Sequence, residues 1–189
     1  MKGLAFSQAM VLAVMSGAKT VTRRVSAVQW KRIVDRLADG SVLTERLFHR
    51  ADQWVHPRYQ PGEVVYVKEA LERTVADSAC YAADGTAVIE NGNLALWRWK
   101  RDVLPARFMP RAAARTALKI VSVRPEPLQE ITLDDLVAEG WPASHSVDEI
   151  GSQAYEWFAD LWDSLHPKKD RWADNPWVWR YEFKQKDGE

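Results

Sequence analysis

The sequence has a single cysteine, Cys80, among its 189 residues. One thiol cannot form a disulfide within the chain, and it excludes a zinc site built from paired cysteines. A chain without internal disulfides is typical of a reducing compartment. The histidines at 49, 56, 145 and 166 show no ligand spacing with one another. The sequence therefore predicts no bound metal and no other cofactor.

Long apolar runs are also absent. A membrane-spanning helix needs roughly 20 consecutive apolar residues, and no stretch approaches that length. The apolar N-terminus is interrupted by Ser7 and Gln8, and TVTRRV follows it instead of the small residues of a signal-peptide cleavage site. We therefore expect a cytoplasmic protein with no membrane partner.

The chain has no net charge, because 26 Lys and Arg balance 26 Asp and Glu. No overall field therefore attracts it to polyanions. The charges are nevertheless segregated: residues 98–124 contain eight Lys or Arg and one acid, whereas residues 125–164 contain ten acids and no Lys or Arg. Such blocks predict either one basic and one acidic face, or two blocks that pair with each other.

Apolar periodicity predicts helices and short strands in a mixed order. We expect helices over about 7–17, 26–39, 132–140 and 152–165, strands over 63–69, 116–123 and 177–183, and a hairpin around Asp84-Gly85. Residues 19–25 fit a strand or a loop, and residues 41–60 have no clear period. Separated strands without a βαβ rhythm favour an α+β fold with a small mixed β-barrel.

The segment GAKTVTRR at 17–24 carries the most chemistry. It places Lys19, Thr22, Arg23 and Arg24 close together. Neighbouring positive charges lower the pKa of a lysine, and such a lysine can act as a base toward a hydroxyl nucleophile. On spacing alone, the segment also fits a basic loop that binds an anion or lies in solvent.

The order of several motifs resembles that of ASCH-domain proteins, a branch of the PUA-like barrels. Gly17, Lys19 and Arg24 match the family signature GxKxxxxR. Four further segments are similar to its turn and strand, its central strand, its short helix and its closing strand: PGEVVYV at 61–67, ALKIVSV at 117–123, ITLDDLVAEG at 131–140 and NPWVWRYEF at 175–183. The resemblance implies one domain over 1–189 with insertions at about 26–58, 70–105 and 142–174, a layout similar to ASCH-like proteins of phages and prophages.

The resemblance also implies a pocket for RNA or for a modified nucleoside. One bacterial branch of the family hydrolyses N4-acetylcytidine with a Lys, a Thr and a Glu, and these match Lys19, Thr22 and Glu139. In that scheme Thr22 attacks the acetyl carbonyl, Lys19 takes its proton, and Glu139 orients the lysine or binds the exocyclic nitrogen. Other family members bind or cut single-stranded RNA, so a ribonuclease and a non-catalytic reader of RNA or modified DNA stay open.

A second carboxylate and a basic, aromatic stretch are further candidates. Glu69 could complete the site in place of Glu139, or pair with Lys68 or Arg73. A basic groove with aromatic faces is typical of single-strand binders, although the same stretch could be a solvated basic face with buried indoles. The candidate binding residues are Arg23, Arg24, Glu69, Arg107, Arg111, Arg115, Trp97 and Trp99.

Overall fold

The computed structural model describes residues 1–26, 56–142 and 150–186, together with the backbone of 30–36 and 42–49. Within these ranges the expected α+β class is confirmed, since helices and several β-sheets are both present. The helices are Gln8–Met15 (α1), Leu133–Ala138 (α2) and Ile150–Leu165 (α3). The strands are Lys2–Ala5 (β1), Val21–Val25 (β2), Trp30–Arg36 (β3), Val42–His49 (β4), Val64–Lys68 (β5), Leu71–Arg73 (β6), Ala79–Tyr81 (β7), Ile89–Glu90 (β8), Asn93–Leu94 (β9), Val103–Leu104 (β10), Ala117–Pro127 (β11) and Trp177–Gln185 (β12).

The central sheet has the strand order β1-β5-β11-β12-β2. β1 runs parallel to β5, and the other neighbours are antiparallel. Alternate residues of the two long strands face the core, among them Leu118 and Ile120 on β11 and Tyr181 and Phe183 on β12.

The expected barrel is not closed by strand pairing among the described residues, because β1 and β2 remain the two edges of this sheet. The edges are joined instead by a side chain. Arg24 on β2 donates through Nη2 to the carbonyl oxygen of Ala5, the last residue of β1, at 2.5 Å. The sheet therefore curves until its edges lie within reach of one guanidinium, and we call this contact the seam.

Helix α1 and the turn after it bring the segment 17–24 against α2. Val11 and Val14 bury one side of α1 in the core of the central sheet. Gly17 ends the helix with a φ of +80°, a value that glycine adopts at little cost. The Lys19 amide then donates to Ala13 O at 2.9 Å, and the Thr20 amide donates to Ala138 O at 2.8 Å.

Two further apolar clusters are separate from the core of the central sheet. Residues of the expected insertion 70–105 form a three-stranded sheet, β10-β6-β7, around a core that includes Leu71, Tyr81 and Met109. The turn predicted at Asp84-Gly85 is present, with Gly85 at a φ of +71°. Helices α2 and α3 pack together through Leu136, Phe158 and Trp162 among others.

The predicted helix over 26–39 is wrong. Its residues 30–36 form β3, which pairs with β4 from Trp30↔His49 to Arg36↔Val42, and β4 also lies where we expected no regular structure. The apolar positions fit a helix face, but Ile33-Val34 are β-branched and favour strands. Residues 27–29 and 37–41 lie outside the described chain. Strand β1 was not predicted, because its partner β5 is remote in sequence.

Candidate functional site

Two cavities meet at the seam. The smaller, of about 290 Å³, and the larger, of about 510 Å³, share Ala5 and Arg24 in their linings. The smaller cavity also contains all three residues of the predicted Lys-Thr-Glu set, Lys19, Thr22 and Glu139.

The smaller cavity is polar on one side and apolar on the other. Its polar side comes from the segment 19–24 and from the end of α2. Its apolar side comes from Phe6 and Met10 near the N-terminus and from one face of α3, which contributes Phe158, Leu161, Trp162 and Leu165. Such a lining, apolar with a few convergent polar groups, is typical of a small-molecule site.

Lys19 is buried and held by a single residue, Glu139. Its side chain is 3% exposed, and that of Glu139 is 5% exposed. The Lys19 ammonium donates to the backbone oxygen of Glu139 at 2.8 Å and also to the Glu139 carboxylate. Burial lowers the pKa of Lys19 from its ordinary value of 10.5; Glu139 opposes this effect, and Arg24 and Arg23 add to it. The lysine is thus a cation whose proton is held less firmly than in water.

Arg23 fixes the other face of Glu139. Its side chain is 0% exposed, and Nη1 donates to Glu139 Oε1 at 3.1 Å. The remaining donors reach Glu126 Oε1 from Nε at 2.8 Å and Asp135 Oδ2 from Nη2 at 2.6 Å. Asp135 also accepts from Arg180 at 2.8 Å. With its donors occupied in this way, Arg23 positions the carboxylate of Glu139 and has little capacity left for a ligand.

The end of α2 is shaped to bring Glu139 against Lys19. Thr132 caps the helix, accepting from the Asp135 amide at 3.2 Å. Glu139 is the C-cap residue, and Gly140 follows with a φ of +99°. A Cβ added at Gly140 would lie 3.3 Å from Ala13 Cβ and 3.6 Å from Lys19 Cβ. Glycine therefore supplies both the left-handed turn and the close approach to Lys19.

Arg24 lies between the cavities with part of its donor capacity unused. Its guanidinium lies 5.4 Å from the centroid of the Phe6 ring, and Nη2 makes the seam contact. Nε is buried and has no hydrogen-bond partner among the described residues. Burial lowers the pKa of Arg24, and Glu139 opposes that effect. A buried donor without an acceptor is costly, which makes Arg24 Nε a natural contact for a ligand.

The larger cavity gathers basic residues from distant segments. His56, Arg58, Lys68 and Arg107 line it together with Arg24. Three aromatic residues form the rest of its wall: Tyr59, Trp179 and Tyr181. Of the basic stretch predicted to bind nucleic acid, this cavity includes only Arg107.

The other predicted binding residues lie elsewhere. Glu69 is 1% exposed and accepts two hydrogen bonds from Arg115, from Nε at 3.0 Å and Nη2 at 2.7 Å. Trp97 and Trp99 stack edge to face at 4.8 Å beside the second apolar cluster. Arg111 is exposed and lines neither cavity.

Sequence reasoning missed several residues of the site. The carboxylates of Glu126 and Asp135 and the guanidinium of Arg180 were not proposed, nor were His56, Arg58 and Lys68. The acidic segment 125–164 was a usable signal, because an acid without nearby cations in sequence must find its partner elsewhere in the fold. In the structure, Glu126, Asp135 and Glu139 form ion pairs with cations on β2, on β12 and in the turn before β2.

Within the described ranges, no three His, Cys, Asp or Glu side chains are grouped as a metal site requires. His145 and the side chain of His49 lie outside those ranges. No helix in the described part of the chain is both long enough and apolar enough to cross a membrane.

Comparison with known proteins gives two structural similarities. No family model and no curated protein sequence matches the chain. A crystal structure from Enterococcus faecalis V583, of the family DUF984, is similar over 100% of this chain and 85% of that one, with 10% identity and a TM-score of 0.45. An ASCH domain from Lactobacillus crispatus JV V101 is similar over 97% of this chain and 79% of that one, with 9% identity and a TM-score of 0.41.

Proposed function

We propose that this protein binds a modified pyrimidine nucleoside in the smaller cavity and removes an acyl group from the exocyclic amine of the base. The observation that carries the proposal is the buried Lys19–Glu139 pair, which lies at the polar side of a cavity that Thr22 also lines. N4-acetylcytidine is the substrate that the sequence resemblance implies.

The hydrogen bonds of Lys19 suit a general base. A neutral amine has two N–H groups and one lone pair, whereas an ammonium has three donors. Glu139 offers Lys19 two acceptors, the backbone oxygen and the carboxylate. With both N–H groups directed there, the lone pair of the neutral amine stays free, and Thr22 lines the same cavity as the hydroxyl that we propose it deprotonates. The lowered pKa of Lys19 makes this neutral form accessible closer to neutral pH.

The proposed reaction has two steps. In the first, Thr22 Oγ1 forms a bond to the acetyl carbon while its proton passes to Lys19 Nζ; the C–N4 bond then breaks, and Nζ returns the proton to the departing amine. In the second, water attacks the acetyl-Thr22 ester while Lys19 Nζ takes one of its protons. The bond from the acetyl carbon to Oγ1 then breaks, Nζ returns the proton to Oγ1, and the acetic acid leaves and loses its own proton to solvent as acetate. Arg24 also lines the smaller cavity, so its positive charge can stabilise the negative charge that develops on the carbonyl oxygen.

The apolar side of the cavity suits a base. Aromatic side chains, such as Phe6, Phe158 and Trp162, line it and provide apolar surface for a pyrimidine ring. The volume of about 290 Å³ lies near the lower end of the range for small-molecule sites, roughly 300–1,000 Å³. A single nucleoside fits this scale better than a larger ligand does.

The test is incubation of the protein with N4-acetylcytidine, with plain single-stranded RNA and with buffer alone. We expect cytidine and acetate from the first and no change in the others, as measured by chromatography. Lys19→Met should abolish product, whereas Lys119→Met removes the same charge from an exposed position on β11 that lines neither cavity, and should leave the rate unchanged. Cleavage of the RNA would favour a ribonuclease, and binding without turnover would favour a non-catalytic reader.

A further inference from the structure

We infer that the larger cavity is a phosphate site, so that the ligand of this protein is a nucleotide whose base lies in the smaller cavity and whose phosphate, or that of a neighbouring nucleotide, lies across the seam. The inference rests on the proposed function only for the base. The phosphate site itself is argued from charge, burial and shape.

Among the described residues, the lining of the larger cavity is basic and contains no acidic side chain. Four cationic residues line it, from positions far apart in sequence: Arg24 on β2, Lys68 on β5, Arg58 and Arg107. No Asp or Glu is among its lining residues in the described chain. Like charges gathered in one concavity repel each other and attract a counter-ion.

Several other cations of the described structure are paired with carboxylates. Around Glu139, the cations Lys19, Arg23 and Arg180 meet the carboxylates of Glu126, Asp135 and Glu139. The basic stretch is also neutralised locally, since Arg98 pairs with Glu90 at 2.8 Å and Arg115 with Asp84 at 2.7 Å. In contrast, the described residues place no carboxylate within ion-pair distance of the cationic side chains of the larger cavity. Among the described residues, this cavity therefore gathers several cations in one concavity without a carboxylate to neutralise them.

Hydrogen bonds to other parts of the fold fix the chain segments that carry these cations. The Lys68 ammonium donates to the backbone oxygen of Arg107, which keeps the two residues together. The Arg58 amide donates to the hydroxyl of Tyr181 at 3.2 Å, and the Tyr59 hydroxyl donates to Gly3 O at 2.7 Å. The arrangement is thus built into the fold through strands β1, β5 and β12, and a ligand need not assemble it.

Arg24 links the two cavities. It lines both of them, and its Nε is buried without a hydrogen-bond partner among the described residues. A phosphate oxygen is a strong acceptor for a guanidinium N–H. The larger cavity, at about 510 Å³, also exceeds what one phosphate fills. It has room for a sugar and its phosphate beside the aromatic wall of Tyr59 and Trp179.

The experiment measures binding by calorimetry for cytidine, its 5′- and 3′-monophosphates, a short single-stranded RNA and inorganic phosphate. We expect the phosphorylated ligands to bind about tenfold tighter than cytidine or better, the factor for one or two charge-assisted hydrogen bonds. Lys68→Met and Arg58→Met should each remove much of this advantage and leave the affinity for cytidine unchanged. Lys119→Met, an exposed charge on β11, should change neither.

Salt dependence gives a second readout. Affinity for the single strand should fall with salt, and each cation removed from the cavity should reduce the slope of log K against log salt by about 0.7. If the monophosphates bind more tightly than cytidine, the site takes the nucleotide's own phosphate. If only the single-stranded RNA binds more tightly than cytidine, the site takes the phosphodiester of a neighbouring nucleotide. Both support the inference.

Three results would overturn it. The first is equal affinity for cytidine and every phosphorylated ligand. The second is tighter binding of the phosphorylated ligands that persists in both Lys68→Met and Arg58→Met. The third is no binding of any ligand, which would also remove the proposed function. If cytidine fails to bind while phosphate and RNA bind and compete, base recognition in the smaller cavity fails and the phosphate site stands.

Discussion

Replacing Glu139 by glutamine tests the buried charge network most directly. The side chain keeps its shape but loses its charge, while Lys19 and Arg23 remain on its two sides. An amide has one oxygen and one NH₂ group, so whichever way it is oriented, a donor faces a donor. Removing one partner from a buried ion pair costs about 3–5 kcal/mol. The side-chain exposure of 5% for Glu139 places it in this buried class.

We therefore expect Glu139→Gln to lower the free energy of unfolding by about 3–5 kcal/mol, measured by urea denaturation. For a chain of this size the melting temperature should fall by roughly 6–20 °C. Glu156→Gln, on the exposed side of α3, is the matched control and should change stability by about 0.5 kcal/mol or less.

A second readout separates the role of Glu139 in the reaction from its role in folding. Glu139 raises the pKa of Lys19, against the larger effect of burial. Its loss should move the rise of activity with pH to lower pH in whatever folded protein remains. A variant within 1 kcal/mol of wild type, with an unmoved pH profile, would refute the description of Glu139 as a buried partner of Lys19.

Three further predictions concern the same site. Thr22→Ala should abolish hydrolysis of N4-acetylcytidine and keep the fold, whereas Thr22→Ser should retain part of the activity; a rate within a few-fold of wild type in Thr22→Ala would remove threonine as the nucleophile. The rate should rise with pH as Lys19 loses its proton, with a midpoint below the ordinary value of 10.5, because burial lowers the pKa of Lys19. Between the lowered pKa of the folded protein and the ordinary pKa of the unfolded chain, the unfolded chain binds more protons, so the free energy of unfolding should also rise with pH there. A midpoint at or above 10.5 would contradict both statements. Gly140→Ala should destabilise the protein by more than Gly62→Ala, by about 1 kcal/mol, because both positions have positive φ but only Gly140 has neighbours within 4 Å of an added Cβ; equal losses in thermal denaturation would show that crowding against Lys19 is unimportant.

The sequence predicted best those elements whose signals are local. Helix α2 follows a capping Thr132 and ends shortly before Gly140, and α3 has a regular apolar face, so both were expected close to where they lie. The failure over 26–39 has a local cause as well, because Ile33 and Val34 fit either a helix face or a strand, and the pairing with β4 decides between them.

The site was predictable only in part, for a physical reason. Lys19 and Thr22 belong to one short segment, and Glu139 followed from a family resemblance. The cations of the larger cavity have no such signal, since Arg58, Lys68 and Arg107 become neighbours only when β5 and the segments around it have folded. A charge count along the chain gave weight to Arg111 and Arg115, but local acids and solvent take up these side chains.

The position of β12 has a consequence for folding kinetics. This strand, Trp177–Gln185, lies between β11 and β2, so the segment that carries Thr22 acquires its sheet partner only when residues about 160 positions later in the chain are in place. The Lys19–Glu139 contact spans 120 residues. Contacts of such high sequence separation form slowly, because the chain loses the entropy of loop closure before these contacts contribute favourable energy. Because the residues around the site belong to strands of the central sheet, we expect a bound nucleotide to slow hydrogen exchange in that sheet as well as at the pocket.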